Sequence, residues 1–152
     1  MSDTDLSLKE FSQSIESTSI EFYKTCILKC RQFSTKYILQ KMMEHHKKHM
    51  SELEALLVDN GPPAIKASDL ESYRSSFRRT GSVKTNDMEH FNFVEATTLA
   101  ITLASFQLDF YRNLEKELKG SPGSKDLDKI LDLKIKYLDE LKSELDRLSY
   151  DK

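Results

Sequence analysis

The sequence predicts an all-α protein, an antiparallel four-helix bundle of two helical hairpins joined by a long crossover, and three observations predict it. First, the chain is written twice. With an offset of 88 residues and no gap, Ser17 pairs with Ser105, Phe22-Tyr23 with Phe110-Tyr111, Leu39 with Leu127, Lys48 with Lys136 and Glu52-Leu53 with Glu140-Leu141. Conservative pairs such as Ile20/Leu108, Glu21/Asp109 and Met50/Leu138 hold the same register, which means one helical hairpin used twice. Second, 32% charged and 38% hydrophobic residues, with 4 Gly and 3 Pro among 152 residues, read as a soluble helical protein rather than a β-rich or disordered one. Third, helix-stopping clusters stand at Asn60-Gly61-Pro62-Pro63 and Gly120-Ser121-Pro122-Gly123, where Gly closes a helix and Pro forbids its continuation.

The elements follow in order. Ser7, three residues before Glu10, suits a capping box and opens a first helix over 7–31. A second helix covers 34–60. Residues 61–85 form the crossover, with room for a short helix at Asp69 to Arg78. A third long helix runs from Asn86 to Leu118, and a fourth covers 122–149. Short turns within each half require antiparallel neighbours, and the long middle segment crosses the length of the bundle. By length, residues 1–152 make a single domain.

Charge and composition narrow the function classes. The net charge is -2, with Lys and Arg interleaved among Asp and Glu, and gives no footprint for nucleic acid or an anionic membrane. No apolar run approaches the ~20 residues that span a bilayer, and Met1-Ser2-Asp3-Thr4-Asp5 lacks the features of a signal peptide, so the cytoplasm is the default location. Lys66, Arg74, Arg78, Arg79 and Lys84 fall in the crossover and read as a solvated loop in preference to an anion or partner site. Cys26 and Cys30, four apart on one helix face, read as small core-facing hydrophobes in preference to a redox pair. There is no Gly-rich phosphate loop, and none of the four His lies in a Ser or Cys hydrolase motif.

The chemistry lies on the core stripe. The apolar face of the second helix is set by Leu39, Met42, Met43, Met50, Leu53, Leu56 and Leu57, and His46 and His49 complete it, whereas His45 points away with Lys41, Lys48 and Glu52. On the first helix Glu16 lies one turn before Ile20 and two before Tyr23, on an inward face. A His pair at i and i+3 with one carboxylate at the same level suits Zn or non-haem Fe(II). Tyr23 and Tyr111 occupy repeated positions and read as packing residues with one hydrogen bond each. His90 reads as a surface or cap residue.

The run Glu16-Ser17-Thr18-Ser19-Ile20-Glu21-Phe22-Tyr23 resembles the first helix of rubrerythrin-type members of the ferritin-like superfamily, where a Glu lies seven residues before the Tyr of a Glu-Phe-Tyr run. Met42 to Leu53, with His49 near its middle, is similar to that family's second helix, which carries Glu-x-x-His. The likeness covers both hairpins, from about Leu8 to Leu57 and from Phe93 to Leu148. It implies a di-iron centre held by a Glu from each of two helices and a Glu-x-x-His pair from each of the other two. Carried over by position, Glu16 and His49 keep two ligands and His46 stands where a Glu is expected. The 88-residue offset then puts Ala104, Lys134 and Tyr137 at the remaining ligand positions. Both bridging carboxylates are thereby replaced, which argues against di-iron oxidase, peroxidase or ferroxidase activity.

Two readings of this half-erased site remain open. In one, metal gives way to an internal polar network of Glu16 and Lys134, satisfied by Tyr137 and the histidines, in a non-catalytic module without cofactor. In the other, Glu16, His46 and His49 hold one Fe or Zn ion, with Tyr137 as a nearby donor and a redox or ligand-binding role. Lys134 opposes that ion if its ammonium reaches the site instead of snorkelling outward. Ala104 leaves a gap that Leu103, Phe106 and the methionines fill. The family resemblance further implies a homodimer; a protein partner is not identified, and neither nucleic acid nor membrane is expected.

Overall fold

Ser7 opens the first helix, α1 (Leu8–Lys29), with reciprocal bonds: its hydroxyl accepts from the Glu10 amide at 3.1 Å, and the Glu10 carboxylate accepts from the Ser7 amide at 3.1 Å. A computed structural model describes residues 5–57, 65–84, 88–121 and 123–150, and only the backbone at 83, 84, 149 and 150. Helix α1 ends where Cys30 turns extended, and α2 (Phe33–Leu56) follows after three residues. No side chain caps the start of α2, and its first turn carries no acid. The expected end of the second helix at Asn60, with its Gly-Pro-Pro stop, lies outside the described residues.

The crossover departs most from expectation. It holds α3 (Ala67–Lys84), an 18-residue helix, in place of a solvated loop with a short helical piece. The reason is its stripe of Leu70, Tyr73 and Phe77, spaced three and four apart, all buried. Gly81 continues that stripe and lets α3 approach α1, since a side chain there would run into the Phe22 ring. Ahead of α3 lies a two-residue strand, β2 (Ile65–Lys66), antiparallel to β1 (Asp5–Leu6), with Asp5 opposite Lys66 and Leu6 opposite Ile65. Lys66, Arg78 and Arg79 are exposed and Arg74 is half-buried.

A short 3₁₀ turn at Met88–His90 leads to α4 (Phe93–Glu117). The expected start at Asn86 lies outside the described residues, and the capping box that opens the helix is the later one: Asn92 accepts from the Glu95 amide at 2.8 Å. His90 is exposed, 3.2 Å from Glu89. Gly120 and Gly123, with φ of 79° and 92°, adopt the left-handed backbone that other residues resist and turn the chain into α5 (Ser124–Tyr150).

The described residues are thus almost wholly helical, with five α-helices among them. α1 packs along α2 and α4 along α5; α2 also meets α4 and α5, and α3 bridges α1 and α4. Burial repeats with the sequence. Phe11 and Leu99, Ile15 and Leu103, Leu39 and Leu127, Met42 and Ile130, and Leu53 and Leu141 are all buried, each pair separated by the repeat offset. None of the described helices is long and apolar enough to cross a membrane.

Candidate functional site

Four helices carry the mapped positions, and contacts join five of them, all but Ala104. Glu16 comes from α1, His46 and His49 from α2, Ala104 from α4, and Lys134 and Tyr137 from α5, and all six are buried. Glu16 is wholly buried and Lys134 is 2% exposed, so the lysine enters the core and does not snorkel. One ligand atom from each of Glu16, His46 and His49 lies within 4.8 Å of the others.

The ammonium sits among them. Lys134 Nζ donates to both Glu16 oxygens, to Oε2 at 2.8 Å, and lies 3.2 Å from His49 Nδ1. His46 Nδ1 lies 3.3 Å from Glu16 Oε1, and His49 Nδ1 3.4 Å from the same oxygen. Donor counting assigns the tautomers. An ammonium only donates, so its third proton goes to His49 Nδ1, which therefore carries none and cannot also donate to Glu16. The carboxylate only accepts, so His46 carries its proton on Nδ1. His46 and His49, one turn apart on α2, thus hold opposite tautomers, the first set by Glu16 and the second by Lys134.

The electrostatics agree with an ionised pair between neutral rings. Burial opposes the charge on Glu16, but Lys134 and then His46 overcome it and hold the carboxyl well below the usual range. Burial pulls Lys134 below the ordinary lysine value against the pull of Glu16. It also lowers His46 and His49, which Glu16 only partly offsets. The contacts to Glu16 and His49 favour the protonated amine, which has no lone pair to act as a nucleophile or base. Burial likewise raises the phenols of Tyr23, Tyr73, Tyr111 and Tyr137, which favours their protonated form.

Tyr137 does not serve the site as a donor. Its hydroxyl donates to Met42 Sδ at 3.3 Å, while its ring packs against His46 and His49 at 5.4 and 5.1 Å. His45, expected to point away, is half-buried with its ring 5.2 Å from Tyr137, because a ring on α5 fills the space beside it. A cleft of about 70 Å³ between α2 and α5 reaches His49 and Tyr137 from the surface. Tyr23 stacks on His46 at 5.7 Å. Cys26 and Cys30 are buried and free, and burial pushes the Cys26 thiol up to about 12.

A second polar group went unread in the sequence. Gln107 Nε2 donates to Tyr73 Oη at 3.0 Å and to Ser19 Oγ at 3.5 Å, all buried. Gln107 Oε1 and Tyr111 Oη find no partner among the described residues, so Tyr111 lacks its expected hydrogen bond. The signal was available: the repeat offset pairs Ser19 with Gln107, two polar residues on the core stripe. Compared with family models, curated proteins and solved structures, the chain matches none.

Proposed function

We propose that this chain is an antiparallel four-helix bundle of the ferritin-like, rubrerythrin type, two hairpins with a crossover that has become helical, in which the di-iron centre is lost and the protein is non-catalytic. One observation carries the reading: the Lys134 ammonium contacts both oxygens of Glu16 and faces His49. The donor set does not fit two divalent ions. One carboxylate, two imidazoles, a methyl group, an ammonium and a protonated phenol provide no carboxylate beyond Glu16 to bridge two ions, and the ammonium adds a positive charge where cations would need neutralising. A fixed cation that cannot dissociate replaces the exchangeable one, and the scaffold keeps its charge balance without chemistry.

The proximity of Glu16, His46 and His49 favours the second reading, a single Fe or Zn ion on these three residues. It requires Lys134 to leave both Glu16 and His49. Metal analysis after incubation with Fe(II) or Zn(II) and desalting separates the two, with His46→Ala/His49→Ala as control. The metal-free reading expects no stoichiometric metal in either protein. One equivalent held by the native chain and lost in the double variant would overturn it.

A further inference from the structure

The end of the molecule where α1 turns into α2 exposes apolar side chains beside an excess of positive charge. Leu28 is 87% exposed and Phe33 86%, and Tyr37, one turn beyond Phe33, is 61% exposed. Single apolar residues on a surface need no explanation, but three around one turn do. Their neighbours Cys30 and Ile38 are buried, so the same turn sends some apolar groups in and others out.

The charge pattern is equally uneven. Between Glu21 and Glu44 stand Lys24, Lys29, Arg31, Lys36 and Lys41 with no Asp or Glu, in a chain whose net charge is -2. Lys24 reaches Glu21 at 3.6 Å and Arg31 reaches Glu89 at 3.5 Å. Lys41 lies over the Tyr37 ring at 5.9 Å. Among the described residues, Lys29 and Lys36 make no ion pair. The net charge of the chain gives no footprint for an anionic membrane, but its positive residues are unevenly distributed and gather at this tip.

We propose that the tip docks on an anionic lipid surface, with Leu28 and Phe33 entering the boundary between headgroups and acyl chains. Tyr37 takes the headgroup level, and Lys29, Arg31 and Lys36 face the phosphates. A second copy of the chain set against the same face fits poorly, because it would bring Lys29 and Lys36, which carry no ion pair among the described residues, against their own images. A folded acidic partner needs a shaped pocket for two side chains projecting from a turn, whereas a fluid lipid surface accommodates them without one. No spanning helix is required, and the proposal is independent of the state of Glu16 and Lys134.

Vesicle flotation tests it, using phosphatidylcholine with roughly one-third phosphatidylserine against phosphatidylcholine alone. The native chain is expected to float with the anionic vesicles and to be released near 1 M salt, where the screening length falls to about 3 Å. Lys29→Glu/Lys36→Glu should weaken binding at least roughly 25-fold, since each Lys or Arg near such a surface contributes about fivefold. Leu28→Ser/Phe33→Ser should weaken it about tenfold or more while leaving the far-UV spectrum and melting temperature unchanged. Failure of the native chain to float with anionic vesicles overturns the proposal, as does flotation indifferent to the apolar variant. Binding to polyglutamate as tight as to vesicles, sensitive to the charge variant alone, would assign the tip to an acidic polypeptide instead.

Discussion

Lys134→Met removes the ammonium from a carboxylate that is wholly buried, and leaves a side chain of similar length in its place. The cavity cost is therefore small and the electrostatic cost large. Removing one partner of a buried ion pair costs about 3–5 kcal/mol, against a total of roughly 5–15 kcal/mol for a domain. The pH dependence separates this cause from packing. In the native chain the folded value of Glu16 is depressed, so its contribution is complete above the unfolded value of about 4.3 and is lost as pH falls through the folded value. In the variant, burial acts without Lys134 and raises the value; the penalty is full at neutral pH and fades as the carboxyl is protonated. Urea unfolding followed by circular dichroism at about pH 7.5 and about pH 4.5 measures both. The expected loss is about 3–5 kcal/mol at the higher pH and clearly less at the lower, with most of it recovered in Glu16→Leu/Lys134→Met. A loss below about 1 kcal/mol at neutral pH, or one unchanged between the two pH values, would refute the reasoning.

Three further outcomes follow from geometry. Gly81→Ala, which would gain about 1 kcal/mol in an open helix, should instead destabilise by about 1–3 kcal/mol in urea unfolding, because its Cβ would stand 2.9 Å from Phe22 Cζ in a ring held edge-on by Phe77. The Cys26 thiol, buried and raised to about 12, should react with iodoacetamide at about pH 8 more than roughly 1,000-fold slower than in the urea-unfolded chain. His46 and His49 have folded values below the unfolded value of about 6.5, so their contribution is complete above that value and declines as pH falls toward the folded ones; ring NMR signals should show both more than half neutral at about pH 6.5, and a mostly protonated ring there contradicts the assignment.

Periodicity and the internal repeat carried most of what could be read without coordinates. The inward direction of Glu16, His46 and His49 followed from spacing, because a helix turns its side chains by a fixed angle, and the repeat offset brought Lys134 to the same level. Where a long side chain ends is a different matter. Lys134 could reach Glu16 or solvent from the same Cα, and the choice depends on how near α1 comes to α5. Tyr137 was placed correctly in the core but misread as a donor to the site, since a phenol turns toward the acceptor in reach and that is Met42. Helix α3 was half-seen: Leu70, Tyr73 and Phe77 form its stripe, yet three apolar residues among Ser and Arg resemble a loop until α1 and α4 are there to receive them. The choice of Asn92 as the cap of α4 was hidden because Asn86 and Glu89 repeat the same spacing.

Ser19 and Gln107 are equivalents under the 88-residue offset, and they touch. When two copies are related by a twofold rotation, a position that meets its own image lies beside the axis. An assembly of two identical hairpins would have to place the same residue on both sides of such a contact, and would carry every buried charge in duplicate. Covalent joining of the halves removes that obligation. Ser can face Gln, and a solitary ammonium can answer a solitary carboxylate, since a mutation at one copy is no longer imposed on the other. The neutrality of this core therefore depends on broken symmetry: one Glu and one Lys balance only in a molecule whose two halves are free to differ.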